Sequence, residues 1–518
     1  MDEYKDISFP TLGEIVNEAF SAFGVFPQKN DKGQRIINEK QKKNYQKALQ
    51  RLAKEESCIQ KRLEELIHLL ADLVEEACGK EHIGGVTFHV LCDFLDEYRV
   101  STNFFTTFLS KRANVEWLAF HRALPTLLSS LFCHAGRFKL YSLATWLPEP
   151  TLFLPTYEPE DNKSTLSKVW NWIYQDIGVS QRSFHCLQKN TFEAPYAQNL
   201  ENAQGWCSGR SLPSLHALFS NLDNSLEQHD WFSLPADRMR VLGYKTALLL
   251  ARISTYSFDG LKNEFGKTKV QELSNFAVRQ ITIAAAIGKS SHELTCQWLT
   301  RENIQAHEER LCYGAEFLFS LYSKKDKILD EINPTLDDQW ERTCVEIGLN
   351  WNRLFTSQNL REQAAAFGKR KPNEYESMHS LGVTLKRDRN TALESIQDYR
   401  QQLRAFNLEP HLLWLADWCE AVHYYRLGDD NTAFNFYKKA FDNAKYKIGG
   451  NHYGLVNQFV ESAAKCGKLR EFKKGVAWAQ YLGIKIRWLR GHDNPESVEA
   501  IKSAFDFLGM KKMRYFQL

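Results

Sequence analysis

The chain has 518 residues and a formal net charge of +3, with 43% apolar and 13% aromatic residues. This length is too great for a single compact core, and the apolar content excludes a disordered chain. Only 27 Gly and 14 Pro punctuate the sequence, few for a β-rich protein with many turns, so the composition predicts helices.

Positive charge is concentrated in two zones of the chain. Residues 29–62 carry eleven Lys or Arg against four acids, and residues 465–518 carry twelve against five. Each zone therefore has a balance of +7, and the remainder of the chain sums to −11. Two basic zones on an acidic body can face phosphates, whereas solvated helix faces are the simpler interpretation of either zone alone.

The cysteine pattern and the length of the apolar runs indicate the cellular compartment of the protein. Eleven cysteines are scattered singly from Cys58 to Cys466, without a CxxC pair or zinc-finger spacing, which is typical of unpaired thiols in a reducing cytoplasm. The N-terminus lacks a cationic start followed by an apolar core, and no apolar run approaches about 18 residues. We expect a cytoplasmic protein without membrane contact, cofactor or metal.

The N-terminal region, residues 1–147, is predicted to be a helical bundle around one long helix at about 40–78. In this helix apolar residues recur at alternating spacings of four and three, with Glu56 as the one interruption, which is a coiled-coil type of stripe. One flank aligns Lys43, Lys47, Arg51 and Lys54 one turn apart, so this flank is a candidate phosphate contact. Prolines at 148, 150, 155 and 159 predict a linker over 148–163.

The C-terminal third repeats a pattern of small and aromatic residues. One copy has Tyr424, Gly428, Ala433, Tyr437 and Ala440. A second copy, 39 residues later, has Ala463, Gly467, Phe472, Val476 and Ala479. A fainter earlier copy supplies Ala392 and Ile396. Residues 378–518 thus resemble tetratricopeptide (TPR) repeats, which implies an α-solenoid over 371–518 that binds a protein or peptide. The chain departs from that family at Ala421, at Lys445 and in its longer period.

The segment at 205–218 resembles the end of a phage-repressor-like (Xre/Cro) helix-turn-helix domain. It places Trp206, Gly209 and Pro213 at fixed offsets before Leu215 and Leu218. Gly209 allows a bend, Pro213 fits the first turn of a helix, and the leucines together with Leu222 form one apolar face. Upstream, Gly178 ends a first helix and Ser180 is the predicted N-cap of a second. The resemblance covers about 165–222 and implies a module over 164–225, with an insertion of about six residues before its third helix.

The resemblance implies a recognition helix at 196–206. Its outward candidates are Gln198, Asn199, Asn202 and Gln204, because side-chain amides can pair with adenine in the major groove of duplex DNA. Arg182, Lys189 and Arg210 are the candidate phosphate contacts at its edges. This helix carries no Lys or Arg, and Glu201 would repel phosphates, so a helix-turn-helix kept only for protein interaction is the competing interpretation.

The helical region at 226–370 offers one candidate for catalysis. Arg301 and His307 resemble the short Arg–His motif of HEPN ribonucleases, in which His acts on a 2′-hydroxyl and Arg steadies the phosphate. This implies a metal-independent ribonuclease as the alternative function.

Together these patterns predict an all-α protein with an N-terminal bundle, a helix-turn-helix middle and a TPR-like array. The leading hypothesis is a non-enzymatic binding or scaffold protein that engages DNA and a protein or peptide. The domain order is similar to that of peptide-responsive bacterial regulators, and a subunit of a phage-defence complex fits equally. A purely structural subunit of a larger assembly is the remaining alternative.

Overall fold

The computed structural model describes residues 10–25, 39–54, 58–78, 148–158, 161–186, 194–227, 235–268, 325–333, 373–486 and 497–510. Shorter runs are described between 87 and 102, between 270 and 286, and between 489 and 495. The regular structure of these residues is helical apart from one short hairpin, so the predicted all-α fold is confirmed. Among the described helices, none combines the length and apolar character needed to cross a bilayer.

The helices of the N-terminal and middle regions are α1 Leu12–Phe23, α2 Glu39–Lys54, α3 Ile59–Cys78, α4 Thr165–Ile177, α5 Gln181–His185, α6 Ala194–Cys207, α7 Leu215–Glu227, α8 Pro235–Phe265 and α9 Lys325–Ile332. Those of the C-terminal region are α10 Asn373–Arg387, α11 Leu393–Ala405, α12 Glu409–Leu427, α13 Asp430–Ala444, α14 His452–Lys465, α15 Leu469–Tyr481 and α16 Val498–Leu508. The hairpin joins β1 Thr156–Glu158 to β2 Asp161–Lys163, antiparallel, with Tyr157 opposite Asn162.

The long helix predicted at 40–78 is wrong as a single element. Cys58 lies outside both α2 and α3, and its carbonyl accepts from Arg62 N in the first turn of α3. The first helix ends at Lys54 and the second begins at Ile59, and each helix buries its own part of the apolar stripe. Tyr45 and Leu52 of α2 are buried, as are Leu63, Leu66, Leu70 and Leu73 of α3.

The proline-rich segment predicted as a linker folds back onto the helices. Residues Pro150–Phe153 form a 3₁₀ turn that packs on α4 and α8, and the hairpin follows it. Phe153 and Leu154 are buried, which holds the segment in place.

One buried arginine connects α1, α8 and the segment that precedes α7. Arg252 of α8 is 5% exposed, and its guanidinium donates to Pro213 O at 2.6 Å, to Ser21 O at 3.0 Å and to Ala22 O. Ser21 and Ala22 lie in the last turn of α1, where unpaired carbonyls favour a cation. Gly24 follows α1 with a φ of 65°, and a Cβ there would collide with this guanidinium.

The C-terminal region is a series of helix pairs: α10 with α11, α12 with α13, and α14 with α15, followed by α16 against α14. The pairs are antiparallel, since Lys447 after α13 donates to Pro410 O at the start of α12. Gly428 and Gly467 turn the chain between partners with φ of 86° and 67°. The predicted apolar positions are buried, with two exceptions: Tyr424 is half-buried, and Ala392 is exposed at the N-cap of α11.

Candidate functional site

The middle module consists of α4 to α7 around an apolar core. Ser164 caps α4 through a 3.2 Å bond from Ser167 N, and Gly178 ends this helix with a φ of 79°. Ser180 caps α5, as predicted, by accepting from Ser183 N at 3.1 Å. Pro213 is not in the first helical turn: Ser214 is the cap, accepting from Ala217 N, and α7 begins at Leu215.

A buried hydrogen-bond network links four elements of this module. His185 is bonded to Tyr174 OH at 2.8 Å through Nε2 and to Ser225 Oγ at 2.9 Å through Nδ1. Ser225 Oγ donates to Asn221 O, and Asn221 Nδ2 donates to Asn199 O at 2.8 Å. Because buried polar groups need partners, this network fixes α5 and α6 against α4 and α7.

Sequence reasoning missed the network. The sequence motifs assign no role to His185, Asn221 or Ser225. The available signal was polar residues four apart, Asn221 and Ser225, among the leucines of the apolar face of α7.

The outward face of α6 carries most of the predicted base-reading residues. Gln198 and Gln204 are exposed and Asn202 is half-buried, with Gln198 Nε2 donating to Asn202 Oδ1 at 3.2 Å. Glu201 is exposed on the same face. The outward prediction for Asn199 is wrong: it is 7% exposed and turned toward α7, because its position lies on the same side as Ala203 and Trp206 of the core.

Two of the predicted phosphate contacts are exposed at the edges of α6. Arg182 lies on α5, which packs against α6. Arg210 follows the C-terminus of α6, where Gly209 has a φ of 73°; its main-chain N donates to Gly205 O and its Nε to Ser208 Oγ. Lys189 lies outside the described residues.

The remaining predicted cations lie on another helix. Lys43, Lys47 and Arg51 are exposed along α2, which packs against α1 and α3. Lys54 ends α2, and its side chain is outside the description. Arg301 and His307, the ribonuclease candidates, also lie outside the described residues.

Of two potential nucleophiles of the module, Tyr174 is buried and Cys207 is half-buried. Burial raises the pKa of the Cys207 thiol to about 12, which keeps it protonated, and burial likewise raises the pKa of Tyr174. No three His, Cys, Asp or Glu side chains of the described residues cluster as metal ligands would. The exposed amides and the two arginines are hydrogen-bonding groups that this module presents to a ligand.

Comparison of the chain with protein-family models, with curated proteins and with solved structures finds no match. The functional argument therefore depends on the residues and their geometry.

Proposed function

We propose that this chain is a non-enzymatic binding protein whose middle module docks α6 on duplex DNA, while its C-terminal helix pairs hold a protein or peptide. The observation that carries the proposal is the division of α6 into two faces. One face is fixed to α7 through Asn199 and the core, while Gln198 and Gln204 are exposed on the other side and Asn202 is half-buried beside Gln198.

This division is what a base-reading helix requires. A helix that enters the major groove must be held from behind so that its outward amides meet the base edges in a fixed register. Arg182 on α5 and Arg210 after α6 are exposed and can contact phosphates, which would position the helix. Glu201 opposes phosphate contact on the same face, so affinity depends on the two arginines.

Fluorescence anisotropy with a labelled duplex pool, enriched on the full chain by repeated selection, tests DNA binding. We expect affinity to fall steeply between about 50 and about 200 mM salt, because counterions are released. Arg182→Glu with Arg210→Glu should weaken binding to all sequences at least tenfold, and Gln198→Ala with Asn202→Ala should erase the preference for the selected sequence.

The matched control reverses the charge of two exposed cations elsewhere in the chain, by Arg238→Glu with Lys267→Glu. Its affinity for the duplex should stay within about twofold of that of the parent. The DNA proposal is contradicted if the chain binds no duplex. It is also contradicted if both pairs of charge reversals weaken binding equally.

The helix pairs suit a partner-binding role because polar contacts brace neighbouring pairs into a rigid array. Arg400 of α11 binds Asp417 and Glu420 of α12 at 2.6 and 2.5 Å, and Tyr425 of α12 donates to Glu461 of α14 at 2.7 Å. One edge of the array exposes apolar side chains: Leu427 is 68% exposed and Leu469 is 40% exposed.

These two leucines lie beside the α12–α13 and α14–α15 turns, which Cys466 Sγ joins by donating to Asp430 O. A photo-crosslinking side chain at Leu427 should capture a discrete partner in cells of the native host. The same group at Phe406, which is 44% exposed at the end of α11, should not capture it. Equal capture at both positions would count against the array as the binding surface.

A further inference from the structure

A groove of about 720 Å³ opens beside α4, between that helix, the segment at 151–156 and the helical residues Gln271, Ser274, Asn275 and Val278. Its volume is in the range of natural ligand sites. Five side-chain amides line it: Asn171, Gln175, Gln181, Gln271 and Asn275. We refer to it as the amide groove.

One wall of the amide groove is an extended piece of main chain that side chains of the other walls hold in place. Gln271 Oε1 accepts from Tyr157 N at 2.9 Å, and Lys168 Nζ donates to Leu154 O at 2.8 Å. Gln271 Nε2 in turn donates to Asn275 Oδ1 at 2.9 Å, which orients the second amide of this wall. The groove thus shows main-chain recognition by side chains along one of its sides.

The opposite wall offers amides to an additional ligand. Asn171 and Gln175 are exposed, and they lie four residues apart on one face of α4. Ser274 is 2% exposed on the facing wall, and its hydroxyl has no hydrogen-bond partner among the described residues. A side-chain amide presents both donor and acceptor, the same pair that a peptide unit presents.

The charge of the lining selects against ionic ligands. Lys168 is the one charged side chain among the described residues that line the groove, and it is bonded to Leu154 O. Trp172 and Val278 add apolar surface beside the amides. Uncharged donors and acceptors next to apolar surface match the main chain and apolar side chains of a peptide.

We propose that the amide groove binds an extended peptide segment of a partner protein and recognises its main chain through Asn171, Gln175 and Asn275. No lining residue of the groove belongs to α6 or to the helix pairs, and the peptide proposal does not require DNA binding. Specificity for sequence then comes from side chains packed on Trp172 and Val278, and the main chain supplies the common affinity.

The test selects peptides from a randomised displayed library against the full chain and measures their affinity as free peptides by anisotropy. Asn171→Ala with Gln175→Ala should weaken the selected peptides at least tenfold. These side chains are exposed, so the variant should keep the circular dichroism and melting temperature of the parent. Gln401→Ala with Gln402→Ala, two exposed amides of α11, is the matched control and should leave affinity unchanged.

A second measurement needs no variant of the protein. Methylation of successive peptide nitrogens of the best ligand removes main-chain donors one at a time, and at least two such positions should each lower affinity at least fivefold. Enrichment of no peptide overturns the proposal. It is also overturned by selected peptides that bind the groove variant as well as the parent, or that tolerate methylation at every nitrogen.

Discussion

His185 illustrates how single buried residues specify the middle module. It is fully buried, and both of its ring nitrogens are bonded, to Tyr174 and to Ser225. The face of α6 that points away from solvent is held by the same network, through Asn221 and Asn199. A residue far from the outward amides therefore determines how firmly those amides are presented.

Replacement of His185 by Phe should lower the free energy of unfolding by about 2 kcal/mol, because the buried Tyr174 hydroxyl and Ser225 Oγ each lose their bond to the imidazole. Urea denaturation at neutral pH measures the change. His216→Phe, at an exposed position on α7, is the control and should stay within about 0.5 kcal/mol. Equal losses for both variants would contradict a structural role for the network.

A second buried histidine makes stability depend on pH. Burial against Trp478 lowers the pKa of His452 from 6.5 to about 4, and its Nδ1 is bonded to Gly449 O at 2.8 Å. Between pH 6.5 and about 4 the unfolded chain binds a proton that the folded chain does not. The stability contributed by neutral His452 is therefore complete above pH 6.5 and is lost as pH falls through this window.

Lowering the pH from 7 to 5 should reduce the free energy of unfolding of the parent by about 2 kcal/mol more than that of His452→Gln. Urea denaturation of both proteins at both pH values measures the difference. His216→Gln, which changes an exposed histidine, should follow the parent. A parent and a His452→Gln variant with parallel pH profiles would show that the histidine does not titrate as stated.

At the scale of elements, two glycines allow helices of the C-terminal pairs to approach closely. A Cβ at Gly382 of α10 would meet Leu415 of α12 at 2.5 Å and the Tyr399 hydroxyl of α11 at 2.6 Å. A Cβ at Gly475 of α15 would meet Val460 of α14 at 2.7 Å. At both positions a neighbouring side chain would have to move to admit a Cβ.

Gly382→Ala should destabilise the chain by about 1 to 3 kcal/mol, although alanine is the better helix former, because overpacking outweighs propensity. Gly260→Ala is the matched control, because Gly260 lies within α8 and a Cβ there would meet open space. This variant should have a free energy of unfolding higher by up to about 1 kcal/mol. Melting temperatures of both variants, measured by calorimetry, give the comparison. A stabilised Gly382→Ala would mean that the helices are further apart than described.

The sequence predicted features that depend on neighbouring residues and missed those that depend on distant ones. The caps at Ser180 and Gly178, and the buried face of Leu215, Leu218 and Leu222, follow from local chemistry and are confirmed. Asn199 and Gly382 could not be assigned in this way. Their environments are set by Asn221 and Leu415, residues of other helices whose positions no local pattern gives.

At the scale of the whole molecule, Arg252 joins parts of the chain that lie more than 200 residues apart. Burial lowers its pKa to about 10, so it remains charged at neutral pH. Its partners are all main-chain carbonyls, in α1 and before α7. The N-terminal helix is also tied to the helix pairs, because Leu12 N donates to Tyr446 OH at 3.5 Å.

Arg252→Met should lower the free energy of unfolding by about 3 kcal/mol, because two buried carbonyls and one partly buried carbonyl lose a charged donor. Hydrogen exchange should show lost protection in α1 first. Arg238→Met, an exposed change on the same helix, should leave both measurements unchanged. Protection that falls uniformly along the chain, rather than in α1, would argue against this arginine as the anchor of that helix.

The contacts of α7 have a practical consequence for anyone who dissects the protein. This helix packs on α3 as well as on α5, α6 and α8, and the carbonyl just before it is held by Arg252. A fragment cut at 164 and 227 would expose leucines to water and lose the donor at Pro213, so we expect it to aggregate. Failure of such a fragment to bind would reveal nothing about the intact chain.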